Sequence, residues 1–230
     1  MAGKTILVLG AGPGIGRAVA TLFASKRYNN IVLIARNAER LAAVQKAVKG
    51  ANSGVTVKTY AVDTTNTVAL FEALDDSDAT FGKPEVVFYN AARVLPSSFL
   101  DHPVEDIEYD LKINVSALYV VSQRYMPHLV SLAKTADPAS SQPALIVTSS
   151  ALPYHPIPQL FALSLVKAAQ LNLVQSLSLT YTPEGVHVGV INVAGQVSPE
   201  DELRNPNNIA QKTWEWFEAA WETPSFEVKI

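Results

Sequence analysis

The chain has 230 residues, 48% of them hydrophobic and 17% charged, with a net charge of −3 and no cysteine. Such a composition excludes intrinsic disorder and suits one compact domain, while the lack of a Lys/Arg block argues against nucleic acid as a partner. No cysteine means no disulfide, thiolate nucleophile or Cys-ligated metal; no continuous apolar run reaches the roughly 18 residues of a membrane span, so a soluble protein without a membrane partner is expected.

Met1-Ala2-Gly3-Lys4 leads straight into a β-branched run, leaving no room for a signal peptide, and Glu227-Val228-Lys229-Ile230 is no targeting or lipidation signal, so cytoplasmic residence is expected. Strand Ile6–Leu9 ends in Gly10-Ala11-Gly12-Pro13-Gly14-Ile15-Gly16, followed by helix Arg17–Lys26. Strand Ile31–Ile34 and helix Arg40–Val48 come next, then strand Val55–Ala61, helix Val68–Phe81 and strand Val86–Phe88. A long helix, Ile113–Ala133, gives way to a polar surface loop, Lys134–Pro143. Strand Leu145–Val147, helix Phe161–Leu179 and strand Val186–Val193 follow. Residues 198–210 read as a polar loop before an aromatic helix, Thr213–Trp221, and Phe226–Ile230 offers a seventh, edge strand. Strands alternating with helices, several of them apolar at consecutive positions, predict an α/β chain: a single doubly wound domain, residues 1–230, with a parallel seven-stranded sheet and helices on both faces. Trp214, Trp216 and Trp221 are expected on a helix covering a substrate cleft or in a subunit contact; two tryptophans at i, i+2 cannot share one helical face.

The glycine-rich turn lies between a strand and a helix, where small residues let the backbone approach a diphosphate held by amide groups and the helix's positive end. Gly10, Gly14 and Gly16 fit G-x-x-x-G-x-G rather than G-x-G-x-x-G; a glycine-rich turn with no ligand is the plainer reading. At this point the chain resembles the short-chain dehydrogenase/reductase family, nearly end to end. The glycine pattern is similar to that family's nucleotide-binding motif, Tyr89-Asn90-Ala91-Ala92 to its N-N-A-G motif, and Asn114 to its active-site asparagine. Ser150 matches its active-site serine and Lys167 the lysine of Y-x-x-x-K. Val193-Ala194-Gly195-Gln196-Val197-Ser198 resembles its P-G motif, with Ala194 replacing proline.

The resemblance implies a Rossmann fold, a nicotinamide cofactor held by Gly10, Gly12, Gly14, Ile15, Gly16, Asn90, Lys167 and Gly195, and hydride transfer to or from a carbonyl carbon. The second strand ends in Ala35-Arg36, where ribose selectivity is set. No acid is present for a 2′-hydroxyl, and the Arg36 fork matches a 2′-phosphate, which favours NADP(H) over NAD; alternatively Arg36 is a solvated residue near the next helix. Asp63 resembles the family residue that binds the adenine amino group, with helix capping as its other reading.

The resemblance further implies that a tyrosine supplies the proton, a lysine lowers its pKa and holds the ribose, a serine orients the substrate oxygen, and an asparagine supports a water chain to the lysine. Four residues before Lys167 and thirteen after Ser150 both lead to Leu163, which cannot transfer a proton. Tyr154 or His155, in the loop after Ser150, is the surrogate donor expected here, loop packing between prolines being the alternative. Ser164 is adjacent to the vacant position, but its hydroxyl pKa suits the task poorly. Lys167 either contacts the cofactor ribose or snorkels to solvent, Asn114 can also be a structural cap, and Arg93 is either a surface residue or a partner for an anionic substrate. The functional expectation is an NADP(H)-dependent carbonyl reductase acting on a small molecule with a non-standard proton donor. The alternatives are a non-redox isomerase, dehydratase or cyclase, and a non-catalytic NADP(H)-binding protein. The family resemblance also implies a homodimer or homotetramer paired through the two long helices, whose Leu118, Tyr119, Val120, Val121, Leu171, Leu173, Val174 and Leu177 lie on more than one face.

Overall fold

Strand β1 (Thr5–Leu9) is buried along its whole length, because its apolar residues face helices on both sides of a sheet. The computed structural model, which describes residues 3–135, 140–220 and 222–230, pairs it in parallel with β2 (Asn30–Ala35) and β4 (Val86–Tyr89). Outward lie β3 (Thr56–Ala61) on one side and β5 (Ala144–Ser150), β6 (His187–Val193) and β7 (Glu227–Lys229) on the other. The result is one seven-stranded parallel sheet in the order β3-β2-β1-β4-β5-β6-β7. Alternate strand residues feed opposite cores. Ile6, Val8, Ile31, Leu33, Phe88 and Ile146 pack under α1 (Ile15–Lys26), α2 (Ala38–Ala51) and α7 (Pro206–Ala219). Leu7, Leu9, Val32, Val87, Leu145 and Val190 pack under α3 (Thr67–Phe81), α5 (Ala117–Thr135) and α6 (Phe161–Tyr181). The strand order reverses between β1 and β4, which opens a crevice at the strands' carboxyl ends.

Where the element bounds differ from the sequence reading, caps and bulges are the reason. Asn37 and Asn66 accept from the amides of Arg40 and Ala69, so α2 and α3 start one or more residues earlier. Asn205 caps the Asn208 amide and Pro206 takes the first helical position, so α7 begins inside the segment read as a loop. The long helix expected from Ile113 is instead α4 (Val104–Leu111), a wide turn over Lys112–Ser116 closed from the Ala117 amide to the Lys112 carbonyl, and α5. In the expected surface loop, residues 136–139 lie outside the described residues, while Ser141 and Gln142 are buried, Gln142 donating to the Phe217 carbonyl.

Trp214 and Trp216 serve the core, which corrects both roles expected of them. Trp214 packs edge-on against Phe23 of α1 at 4.8 Å, and Trp216 lies 4.3 Å from the His187 ring of β6. They occupy two flanks of α7, one against a helix and one against the sheet; Trp221 falls outside the described residues. By length and average composition alone, Pro158–Tyr181 is apolar enough to cross a membrane, although no continuous apolar run reaches that length. Ser164, Lys167 and Gln170 interrupt its runs without lowering its average enough, and Ala162, Val166, Leu171 and Val174 on its inner side are buried.

Candidate active site

Gly10 leaves β1 with φ +85°, and a Cβ there would stand 2.4 Å from the Ala91 amide nitrogen. Gly16 is equally constrained, its Cβ falling 2.4 Å from the Gly10 carbonyl oxygen. These two glycines serve the turn's own packing against β4 and α1. Gly12 and Gly14 face open space instead. The amides of Gly10 and Ala11 both donate to the Ile34 carbonyl of β2 and that of Gly12 to the Gly10 carbonyl, so the turn's first three amides are already bonded within the protein. Anion binding by the backbone is thereby left to the first turn of α1, which starts at Ile15, has no side-chain cap and carries no acidic residue. Asn90 fastens the turn to the end of β4, its Nδ2 donating to the Gly10 carbonyl at 2.8 Å.

A cleft of about 270 Å³ opens beside this turn, lined by Gly10, Ala11, Gly12, Pro13, Arg36, Arg40, Asp63, Asn90 and Ile113 among others. The structure thus brings Gly10, Gly12, Arg36, Asp63 and Asn90 to one cavity. Arg40, one turn into α2, adds a second guanidinium that sequence reading missed; its offset of four from Arg36 was the available signal. Asp63 accepts from the Thr65 amide and hydroxyl, closing a turn, and from the Tyr109 phenol at 2.5 Å. Burial would raise the Asp63 pKa, but these hydrogen bonds and the Arg36 charge hold it below the ordinary carboxylate value.

Lys167 does not snorkel. It is buried on α6, its Nζ donating to the Thr148 carbonyl at 2.9 Å and to Gln170 Oε1 at 2.7 Å. Loss of hydration pushes its pKa down to about 7. Gln170 in turn donates through Nε2 to the Asn114 carbonyl at 2.8 Å. That carbonyl sits in the wide turn after α4, where the i→i+5 geometry lets it face α6. Asn114 also donates through Nδ2 to the Asp110 carbonyl, while its Oδ1 is buried without a partner. Gln170 was not among the sequence-derived site residues, yet its amide directly joins two that were.

Leu163, one turn before Lys167, is buried with Leu152 and Val166 and packs against Leu111 and Leu160. Ser150 closes β5 and accepts from the Leu152 amide at 3.3 Å. Its loop neighbours point elsewhere. The Tyr154 phenol meets Glu227 of the edge strand β7 at 3.4 Å, and burial together with that carboxylate raises its pKa; His155 is exposed. Gly195 has φ +140°, and the Arg204 guanidinium, donating to the Ala194 carbonyl, occupies the space a Cβ would need. Arg93 is neither free on the surface nor open to a substrate. It bonds Asp106 and Asp110 of α4 at 2.7 Å each and lies over the Tyr109 ring at 4.9 Å, pinning α4 to the end of β4.

Comparison with known proteins follows the same lines. An uncharacterized oxidoreductase of Staphylococcus aureus (strain MW2) is 27% identical over 224 residues, 90% of this chain and 88% of the relative. A short chain oxidoreductase of Pseudomonas aeruginosa PAO1, described as containing an atypical catalytic center, superposes with a TM-score of 0.83 at 20% identity, covering 99% of this chain and 95% of that one. A metagenomic short-chain oxidoreductase solved in complex with NADP also gives 0.83, at 21% identity, covering 100% and 97%. The short chain dehydrogenase family model matches residues 4–206, and the chain belongs to that family.

Proposed function

We propose that the protein is an NADP(H)-dependent oxidoreductase that reduces a carbonyl group of a small molecule. The observation that carries this reading is the pair Arg36 and Arg40 at the mouth of a cleft where β2 ends in Ala35, with no carboxylate at the ribose-reading position. Two guanidinium groups suit a 2′-phosphate, and open Gly12 and Gly14 beside the uncapped start of α1 suit a diphosphate. The metagenomic relative in complex with NADP supports the same cofactor. When bound, the reduced cofactor supplies a hydride; the chain's residues manage the oxygen and the proton.

In this reading the Ser150 hydroxyl orients the substrate oxygen. Leu163 offers no proton, and the Tyr154 phenol is turned toward Glu227. We assign the proton to Lys167 rather than to Tyr154 or His155. Two of its three N–H groups are held by Thr148 and Gln170, the third remains, and burial brings its pKa to the neutral range in which an acid works best. Asn114, through Gln170, is a positioning residue for that ammonium. Calorimetry with NADPH and NADH, followed by loss of nicotinamide absorbance over a panel of carbonyl compounds, tests the proposal. NADPH must bind more tightly and be consumed, Lys167→Met must abolish consumption, and Tyr154→Phe and His155→Ala must leave it nearly unchanged.

A second reading, nucleotide binding without redox turnover, draws support from the apolar cluster around Leu163, the residue that the spacings from Ser150 and Lys167 match to the family phenol. NADPH binding with no consumption would support it; turnover of a substrate without nicotinamide change would point to an isomerase, dehydratase or cyclase. We also propose a cytoplasmic homodimer or homotetramer paired through α5 and α6, since Tyr119, Leu165 and Leu179 are exposed there. Elution at the monomer mass of 24.8 kDa would refute that pairing.

A further inference from the structure

Tyr109 stands on α4, outside the lining of the dinucleotide cleft, yet its phenol touches two residues that do line it. The hydroxyl donates to Asp63 Oδ2 at 2.5 Å and accepts from Arg36 Nη1 at 3.2 Å. A phenol has one proton, so these directions are set by chemistry: the carboxylate can only accept and the guanidinium only donate. The ring cannot drift, because the Arg93 guanidinium, itself held by Asp106 and Asp110, lies over it at 4.9 Å. One oxygen atom therefore separates a cation and an anion that would otherwise attract each other across the cleft wall.

We propose that Tyr109 is a specificity-determining positioning residue, a spacer that keeps Arg36 from pairing with Asp63 so that the cation stays available to the 2′-phosphate of the cofactor. The inference rests on the NADP(H) reading above and deepens it. If the phenol is removed, Arg36 swings onto the ionised Asp63 carboxylate, and the phosphate must compete with an internal anion. A dinucleotide without that phosphate loses nothing by the pairing. The consequence is selective: discrimination falls, while general dinucleotide binding survives.

The test is calorimetric titration of NADPH and NADH into the wild type, Tyr109→Phe and the double variant Tyr109→Phe/Asp63→Asn. Phenylalanine keeps the ring under Arg93 and removes only the hydroxyl. NADPH affinity should fall roughly tenfold, as expected for a lost hydrogen bond to a charged group, with NADH within about twofold. The double variant should recover the NADPH preference, because no carboxylate remains to capture Arg36; a merely structural role for Tyr109 would not be rescued this way. An unchanged ratio in Tyr109→Phe, or a lowered ratio not restored in the double variant, overturns the spacer while leaving the cofactor reading intact. A wild type that binds neither nucleotide, or shows no preference, overturns the cofactor reading and the spacer with it. Should Tyr109→Phe not fold, Asp63→Asn alone decides: its ratio must hold or rise, and a fall overturns the spacer.

Discussion

Replacing Lys167 with methionine should stabilise the protein at neutral pH, by a margin that closes in mild alkali. Burial lowers the folded-state pKa of Lys167 from the ordinary 10.5 to about 7. Between those values the unfolded chain carries a proton there that the folded chain lacks. Folding releases it, and stability rises with pH at about 1.4 kcal/mol per unit. Below pH 7 both states are protonated and the penalty is constant, on the order of 5 kcal/mol at its upper bound. Methionine removes the titration but leaves the Thr148 carbonyl and Gln170 Oε1 without their donor, a loss of about 1–3 kcal/mol. The variant should therefore be the more stable protein at pH 7, and the difference should close as pH rises toward 9. For a domain this size the wild-type melting temperature should gain roughly 3–6 °C per pH unit on the variant over that window. Melting curves followed by circular dichroism at intervals from pH 6 to pH 9 measure it. Parallel curves for the two proteins would refute the burial argument and, with it, proton donation from this amine at neutral pH.

Leu163→Tyr sets a phenol one helical turn before Lys167, on the same face, and should raise the rate of carbonyl reduction by about 10²–10⁴ at a packing cost of about 1–3 kcal/mol. A folded variant with an unchanged kcat would show that the missing phenol does not limit the reaction. Arg93→Met leaves the buried Asp110 carboxylate unpaired, and urea unfolding should register a loss of about 3–5 kcal/mol; less than about 1 kcal/mol would mean water already serves that pair. Gly10→Ala should lower the melting temperature and abolish NADPH binding, since its Cβ meets the Ala91 backbone at 2.4 Å and φ is positive. Gly12→Ala, with nothing within 4 Å, should melt like the wild type and still bind NADPH more weakly; equal behaviour of the two variants would contradict the division of labour among the glycines.

The parts legible in the sequence are those that local rules write. Ile6–Leu9, Ile31–Ile34 and Leu145–Val147 are apolar at consecutive positions because both sheet faces are covered, so strands and order of elements could be read directly. Helix starts at Asn37, Asn66 and Asn205 were also written there as caps, and were placed late because apolar periodicity outweighed them in the reading. The proposal that Leu163 stands at the family tyrosine's position rests on two spacings that the family resemblance supplies. Trp216 could not be placed that way: residues two apart point to different flanks, and only the position of α7 between α1 and β6 shows that both flanks are covered.

Composition, periodicity and spacing by themselves determined the doubly wound sheet and the glycine turn, because each depends on neighbours a few bonds or a few turns away. Only the tertiary structure decided what surrounds the charges. Tyr109 meets Asp63 across 46 residues of chain, and Gln170 meets Asn114 across 56. Neither partner can be inferred from a local pattern, since such contacts exist only once the helices are seated on the sheet. The depressed pKa of Lys167 has the same origin: the lysine is the same in any sequence, and its loss of water is a property of the fold.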